Sequence, residues 1–372
     1  MVLKKAFVLT GDSIIKTDLV IEKGIIAHIG QTGLDGIDYS GYTIVPGFVD
    51  THIHGAYGSE FSAPDGEFDQ GLIALAKQGT TAVCATIRTL EINDIKKAIK
   101  NIVKEYKRNP KGARIEGIHL EGPFVSSKYI GAMEPKWLIP PSADIIKELY
   151  DISEGLLKII TVAPELEGAT EAIKAACNLG IKISLGHTGA DYATSLAACE
   201  AGATRLTHTF NAVSPFHHRF PGVLGFCLTD SRMECEAICD FVHLDPATVK
   251  LIYLAKGEDK ITMVSDAGVF AGLGDGEYIV AGRVRTVKNG VCLNDEGKIA
   301  GSCFTIFKGV KNLLDSGYDI KIVSKMASYN PARAIGIDGF TGTIEVGKAA
   351  DLVVLDGNWS VCATYVRGTS YE

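Results

Sequence analysis

The chain predicts an α/β protein, a (β/α)8 TIM-type barrel with a small β-sandwich module built from both termini. Three observations point there. The middle of the chain holds eight short apolar runs separated by helical segments, a rhythm that indicates a parallel sheet with crossover helices. Both ends alternate short apolar runs with turns. The length of 372 residues suits one large domain plus a smaller one, since single cores rarely grow beyond roughly 250–300 residues.

In chain order, the first stretch reads as a β-meander: Ala6–Leu9, Leu19–Ile21, a turn at Glu22-Lys23-Gly24, Ile25–Ile29, then Tyr42–Val45. The eight barrel strands are expected near Gly47–Thr51, Thr80–Thr86, Arg114–His119, Leu157–Val162, Ile181–Leu185, Arg205–Thr207, Cys235–Asp240 and Ile261–Ser265. Between them, segments such as Ile92–Tyr106 place Ile95, Ala98, Ile99, Ile102 and Val103 on one stripe, as an amphipathic helix requires. The far end returns to strands and turns through Gly342-Thr343-Ile344, Asp351–Leu355, Asp356-Gly357-Asn358 and Val361–Val366. The expected division is therefore 1–46 with 337–372 as the β-sandwich module and 47–336 as the barrel.

With 46% hydrophobic and 22% charged residues the composition is that of an ordinary globular protein. A formal net charge of -7 provides no basic field for nucleic acid or anionic membrane, so an anionic ligand must be held by a few local groups. A small-molecule partner is expected. No apolar run reaches the roughly 18 residues of a membrane span, and Met1–Thr17, with Lys4, Lys5, Asp12 and Lys16, lacks a signal-peptide core. A cytoplasmic location follows as an expectation. The nine cysteines form no CxxC pair, and an odd number in a long chain argues for reduced core residues, Cys235 and Cys239 on one buried strand among them.

Chemistry concentrates where a barrel keeps it, at the C-terminal ends of the strands. The first strand finishes in Asp50-Thr51-His52-Ile53-His54, and alternation along a strand points His52 and His54 the same way. The third ends in His119-Leu120-Glu121, the fifth in Gly186-His187-Thr188, the sixth in Thr207-His208 and the eighth in Ser265-Asp266-Ala267. A single histidine at a strand end is commonly a hydrogen-bonded structural residue. Five or six polar residues falling where one fold predicts convergence point instead to a divalent metal, Zn²⁺ or Fe²⁺, with an open position for water. His119, two positions before Glu121, reads as a support for the ligands. Asp266 has two compatible readings, metal ligand or proton shuttle, beside a bland one as a helix N-cap before Ala267-Gly268.

These motifs resemble a known family. Pro46-Gly47-Phe48-Val49-Asp50 followed by His52-x-His54-Gly55 is similar to the opening of the amidohydrolase superfamily, and Gly342-Thr343-Ile344-x-x-Gly347-x-x-Ala350-Asp351-Leu352-Val353 to its ending. The middle resembles the N-acetylglucosamine-6-phosphate deacetylases, through His119-Leu120-Glu121-Gly122-Pro123-Phe124, Thr161-Val162-Ala163-Pro164-Glu165, Gly186-His187-Thr188, Thr207-His208-Thr209-Phe210-Asn211-Ala212 and Asn330-Pro331-Ala332. The resemblance implies hydrolysis of the N-acetyl group of N-acetylglucosamine 6-phosphate, with Glu121, His187 and His208 holding the principal metal. Asp266 would be the acid/base, and His52 and His54 allow a second metal. By the same resemblance Ala132, Asn211, Ala212, Arg219 and His243 contact sugar and phosphate, and the protein is a homodimer in which Arg219 reaches into the neighbouring site.

Three departures bear on specificity. Where the family carries Gly-Ala followed by His or Gln, this chain has Gly131-Ala132-Met133, and methionine cannot donate a hydrogen bond. Phe241 stands where the family has Gly after Asp240, which would bring a ring beside the sugar pocket. Thr305-Ile306-Phe307 replaces a Thr-Met-Asp. The alternatives are a deacetylase of N-acetylgalactosamine 6-phosphate, a cyclic-amide or deaminase-type hydrolase, and an inactive sugar-phosphate binder.

Overall fold

The structure, a computed structural model, describes residues 1–280 and 282–372. Eight parallel strands stand in sequential order in one sheet: β1 (Phe48–Ile53), β2 (Thr80–Ile87), β3 (Arg114–Glu121), β4 (Leu157–Val162), β5 (Lys182–Leu185), β6 (Arg205–Leu206), β7 (Glu234–Ile238) and β8 (Ile261–Val264). These are the eight expected runs. Every residue of β2 is buried, because a parallel barrel covers both faces of its strands, and the runs are therefore continuously apolar rather than alternating. The ring is stitched between its first and last strands just beyond their ends: Asp266 N donates to His52 O (2.8 Å) and His54 N to Ala267 O (2.9 Å). The seam thus runs through the polar residues singled out above.

A helix follows each strand: α1 (Asp69–Lys77), α2 (Ile92–Arg108), α3 (Ala143–Ile152), α4 (Ala169–Asn178), α5 (Tyr192–Ala201), α6 (Gly222–Thr229), α7 (Pro246–Lys256) and α8 (Ile306–Asp315). On α2 the stripe Ile95, Ala98, Ile99 and Ile102 is buried against the sheet, and left-handed Asn109 ends the helix. Ser142, Asp191 and Asp245 accept backbone N–H bonds at the starts of α3, α5 and α7, caps worth about 1 kcal/mol each.

Strands from both ends of the chain share a second sheet, with Leu352–Leu355 lying antiparallel to Thr43–Pro46 and Val2–Thr10 pairing on its other side. The sheet wraps its own core of Leu3, Val8, Leu19, Ile26, Ile44, Leu352, Val354 and Tyr365. Its far edge is tied back by Ile26 N to Lys348 O (2.9 Å) and Ala350 N to Gly24 O (2.9 Å). Buried Asp351 joins this sheet to the barrel, accepting from Arg114 Nη1 at the start of β3 (2.7 Å) and from Thr341 Oγ1 (2.7 Å). The expected strand at Gly342-Thr343-Ile344 is absent. The backbone bends there instead, with Gly342 at φ +93° where a Cβ would stand 2.8 Å from that of Ala332.

One element had no counterpart in the sequence reading. Between β8 and α8 the chain forms a four-stranded antiparallel sheet from Gly276–Val280, Arg283–Lys288, Val291–Leu293 and Ile299–Ser302. It packs through its own small core of Phe270, Val287, Cys292 and Cys303. All nine cysteines are free, and eight are buried or half-buried. Among the described residues no helix is long and apolar enough to cross a membrane.

Candidate active site

The expected ligands are held at the mouth by strand ends or their continuations, His52 and His54 together on β1 and each of the others on a strand of its own, and three of them leave the strand in the left-handed region. His187 has φ +48°, His208 +26° and Asp266 +51°. Non-glycine residues pay for that conformation, and here it coincides with side chains turned into the mouth. No helix follows Asp266, which removes the N-cap reading.

Glu121 is the hub. Its Oε1 lies 3.1 Å from His187 Nε2 and 3.1 Å from His208 Nε2, and those two nitrogens are themselves 3.1 Å apart. His54 Nε2 approaches Glu121 Oε2 and Asp266 Oδ1 at 3.2 Å each, while His52 Nε2 stands 3.4 Å from Glu121 and 3.5 Å from Asp266. Among the described residues three sets can hold a metal: Glu121 with His187 and His208 and His52 with His54 and Asp266, both around this hub, and behind them His52 with His119 and Glu236.

Hydrogen bonding identifies the lone pairs. His187 Nδ1 sits 2.8 Å from the Tyr129 carbonyl, which can only accept, so Nδ1 carries a proton and Nε2 is the ring atom that faces Glu121. His52 Nδ1 lies 2.9 Å from Glu236 Oε2, leaving a buried Nε2 without a hydrogen-bond partner. Acceptors facing acceptors require a proton or a cation between them. The electrostatics agree: burial alone would lower His52, yet the charges of Glu236, Asp266 and Glu121 hold it well above its ordinary range. Burial would likewise raise Glu121, but the surrounding histidines hold it well below the usual carboxylate range. The donor set fits a divalent cation.

Two acidic residues that sequence reasoning passed over sit behind this shell. Glu236, fully buried on β7, also accepts from His208 N (3.1 Å) and pairs with buried Arg205 (3.2 Å). Its signal was a charge in the middle of an apolar strand. Asp240 accepts from His243 Nδ1 (2.8 Å), His243 N (2.9 Å) and Ser302 Oγ (2.8 Å), orienting the imidazole. His119 Nδ1 donates to the Thr51 carbonyl (3.2 Å), and its Nε2 lies 2.9 Å from Thr161 Oγ1. Burial, reinforced by the neighbouring His52, pushes it down to about 3.

A cavity of about 260 Å³ opens above these groups, lined among others by His54, Glu121, His187, His208 and Asp266. Ala132, Met133, Asn211, Ala212 and His243 line it too, so four of the five expected substrate contacts are brought together. Arg219 is not. It lies on an exposed loop with Nη1 2.8 Å from His218 Nε2, between exposed Phe216 and Phe220. Phe241 also departs from expectation: at φ +64° its ring packs against the core cluster of Cys239, Leu244 and Met263 rather than lining the cavity. Met133 accepts from Thr89 Oγ1 (3.0 Å).

Comparison with known proteins returns a match to the family model described as the amidohydrolase family over residues 43–370. The chain is 37% identical over 331 residues to an N-acetylglucosamine-6-phosphate deacetylase of Bacillus subtilis, covering 87% of this chain and 83% of that one. It is 32% identical to an N-acetylgalactosamine-6-phosphate deacetylase of Escherichia coli O157:H7, covering 94% and 93%. Among solved structures, a mutant N-acetyl-D-glucosamine-6-phosphate deacetylase of Mycobacterium smegmatis in complex with N-acetyl-D-glucosamine-6-phosphate superimposes with a TM-score of 0.94 at 32% identity, covering 100% of this chain and 99% of that one.

Proposed function

The chain belongs to the amidohydrolase family, and from that premise we propose that it hydrolyses the N-acetyl group of N-acetylglucosamine 6-phosphate, giving glucosamine 6-phosphate and acetate. The observation that carries the chemistry is the convergence of Glu121, His187 and His208 beside Asp266 on one cavity. Zn²⁺ or Fe²⁺ suits this mixture of imidazole and carboxylate, held principally by Glu121, His187 and His208, with His52 and His54 offering a second site. When bound, such a cation supplies Lewis acidity that polarises a carbonyl and lowers the pKa of water.

The chain's own residues do the rest. Asp266, held ionised by His52 and His54 against the effect of burial, accepts a proton as water oxygen bonds to the acyl carbon. It returns that proton to the amide nitrogen as the carbon–nitrogen bond breaks. The acid released then loses its own proton, leaving acetate and an ammonium group. Ala132, Asn211, Ala212 and His243 hold the sugar and its phosphate, with His243 fixed by Asp240. Arg219 completes the phosphate contact from the partner subunit of a homodimer, and the enzyme works in the cytoplasm.

The test is acetate release by the purified, metal-loaded protein. N-acetylglucosamine 6-phosphate should turn over, and Asp266→Asn should lower kcat by about 10²–10⁴-fold, the usual range for losing a proton shuttle, while metal content is retained. No acetate from either hexosamine epimer would end this reading. The similarity to an N-acetylgalactosamine-6-phosphate deacetylase over 94% of the chain favours one alternative, preference for the galacto epimer, and the ratio of kcat/KM on the two separates them.

A further inference from the structure

Two arginines face the cavity and the hydrolysis just described uses neither. Arg88 leaves the end of β2 and forms an ion pair with Glu60, and all three of Arg88, Glu60 and Arg285 line the cavity. Arg285 comes from the four-stranded insert, where it alternates inward with Val287 while Val284 and Thr286 face solvent. It is only 7% exposed. Among the described residues no carboxylate pairs with it, and the one hydrogen bond of its guanidinium is a 3.4 Å contact with the carbonyl of its neighbour Val284. Burial, followed by the closeness of Arg285, pushes the Arg88 guanidinium down to about 10. A half-buried and a buried guanidinium thus line one wall with a single ion pair between them, that of Arg88 with Glu60. Buried charges are ordinarily paired, so this wall is short of one anion.

The position of the wall says which part of a substrate meets it. In a ring of eight sequential strands, β2 stands opposite β6, and the metal-ligating groups lie between them. Resting on the reading above, the sugar phosphate lies toward Asn211, Ala212 and His243 beyond β6 and β7, so the acyl end of the amide points toward β2. The cavity is lined, besides the two arginines, by the apolar Met133, Val280 and Ile299. An apolar stem ending in a cationic fork matches a short dicarboxylic acid joined through one end as an amide. We propose that Arg285 and Arg88 form an acyl subsite that selects N-acyl amino-sugar phosphates whose acyl group ends in a carboxylate.

The experiment compares kcat/KM for three synthetic glucosamine 6-phosphates on the metal-loaded enzyme: N-acetyl, N-succinyl, and N-levulinyl, which keeps the chain length but ends in a methyl ketone. The succinyl compound should exceed the levulinyl one by about tenfold or more, as expected where a buried donor finds or loses its charged partner. Arg285→Met should collapse that ratio, and Arg285→Lys should restore part of it. A wild-type ratio near one overturns the proposal without any variant having to fold. So does an Arg285→Met enzyme that keeps the ratio but raises KM for all three compounds and loses inhibition by inorganic phosphate, since Arg285 would then hold the substrate's phosphate. Turnover of the N-acetyl compound with no carboxylate preference overturns this subsite alone, whereas hydrolysis of none of the three removes the deacetylase reading with it.

Discussion

At the scale of single residues, the site is organised by which nitrogen of each histidine is already committed. The Tyr129 carbonyl fixes His187 and the Glu236 carboxylate fixes His52, and in both rings Nε2 is the atom left to face the carboxylates of the site. Supports of this kind commonly contribute 10–100-fold to metal affinity. Glu236→Gln should therefore weaken divalent-metal binding by roughly that factor, measured by chelator competition, and should lower the melting temperature because Arg205 loses its charged partner. Unchanged affinity would show that the charge of Glu236 does not tune the metal site. His119 carries the opposite expectation. With its folded-state pKa near 3 against an ordinary 6.5, the unfolded chain binds the extra proton between those values. Stability from this group is complete above pH 6.5 and is lost as pH falls toward 3, with a slope of at most about 1.4 kcal/mol per pH unit. Ring resonances of His119 should stay those of a neutral imidazole from pH 5 to 8, and a midpoint near 6.5 would contradict its burial.

At the scale of elements, the strand ends and the insert decide the geometry. The insert is joined to the catalytic seam through Ser302 N, which donates to Asp266 O (2.8 Å), and through a bridge between Ala267 and Ser302. Gly301 makes this approach possible: at φ +82° its missing Cβ would lie 3.3 Å from Asp266 O. Gly301→Ala should cost about 1–2 kcal/mol for the left-handed backbone alone, read by urea denaturation. It should also lower kcat more than it lowers metal affinity, because the carbonyl of Asp266 is what the new methyl group displaces. An alanine variant with wild-type kcat would mean that the seam absorbs the shift. The same element carries Arg285 to the cavity, which Val280, Ile299, Ala300 and Gly301 also line, so the insert forms one wall of it.

At the scale of the whole molecule, one expected contact stays outside the cavity of its own chain. Arg219 sits on an exposed loop beside Phe216 and Phe220, which are 54% and 75% exposed, a composition suited to docking against a second copy. If Arg219 acts across a dimer, co-expressing Arg219→Ala with Asp266→Asn should regenerate activity that neither variant has alone, since each heterodimer then contains one complete site. Mixed dimers that stay inactive would place Arg219 in its own chain's site or outside the reaction.

The barrel was legible because eight apolar runs at helix-sized intervals leave few other ways to bury them, and the convergence of candidate ligands because the fold confines chemistry to strand ends. His52, His54, Glu121, His187, His208 and Asp266 could be named without coordinates on that ground. Glu236, Asp240, Arg88 and Arg285 could not. Each is a charge in a segment whose local pattern reads as strand or loop, and only the folded chain decides whether such a charge faces solvent or another strand's histidine. The same limit applied to Phe241, whose positive φ turns the ring into the core, and to the insert, whose short strands bury too little to show a pattern of their own. Local sequence determined the elements and their order around the ring; long-range packing decided which polar groups look at one another across it.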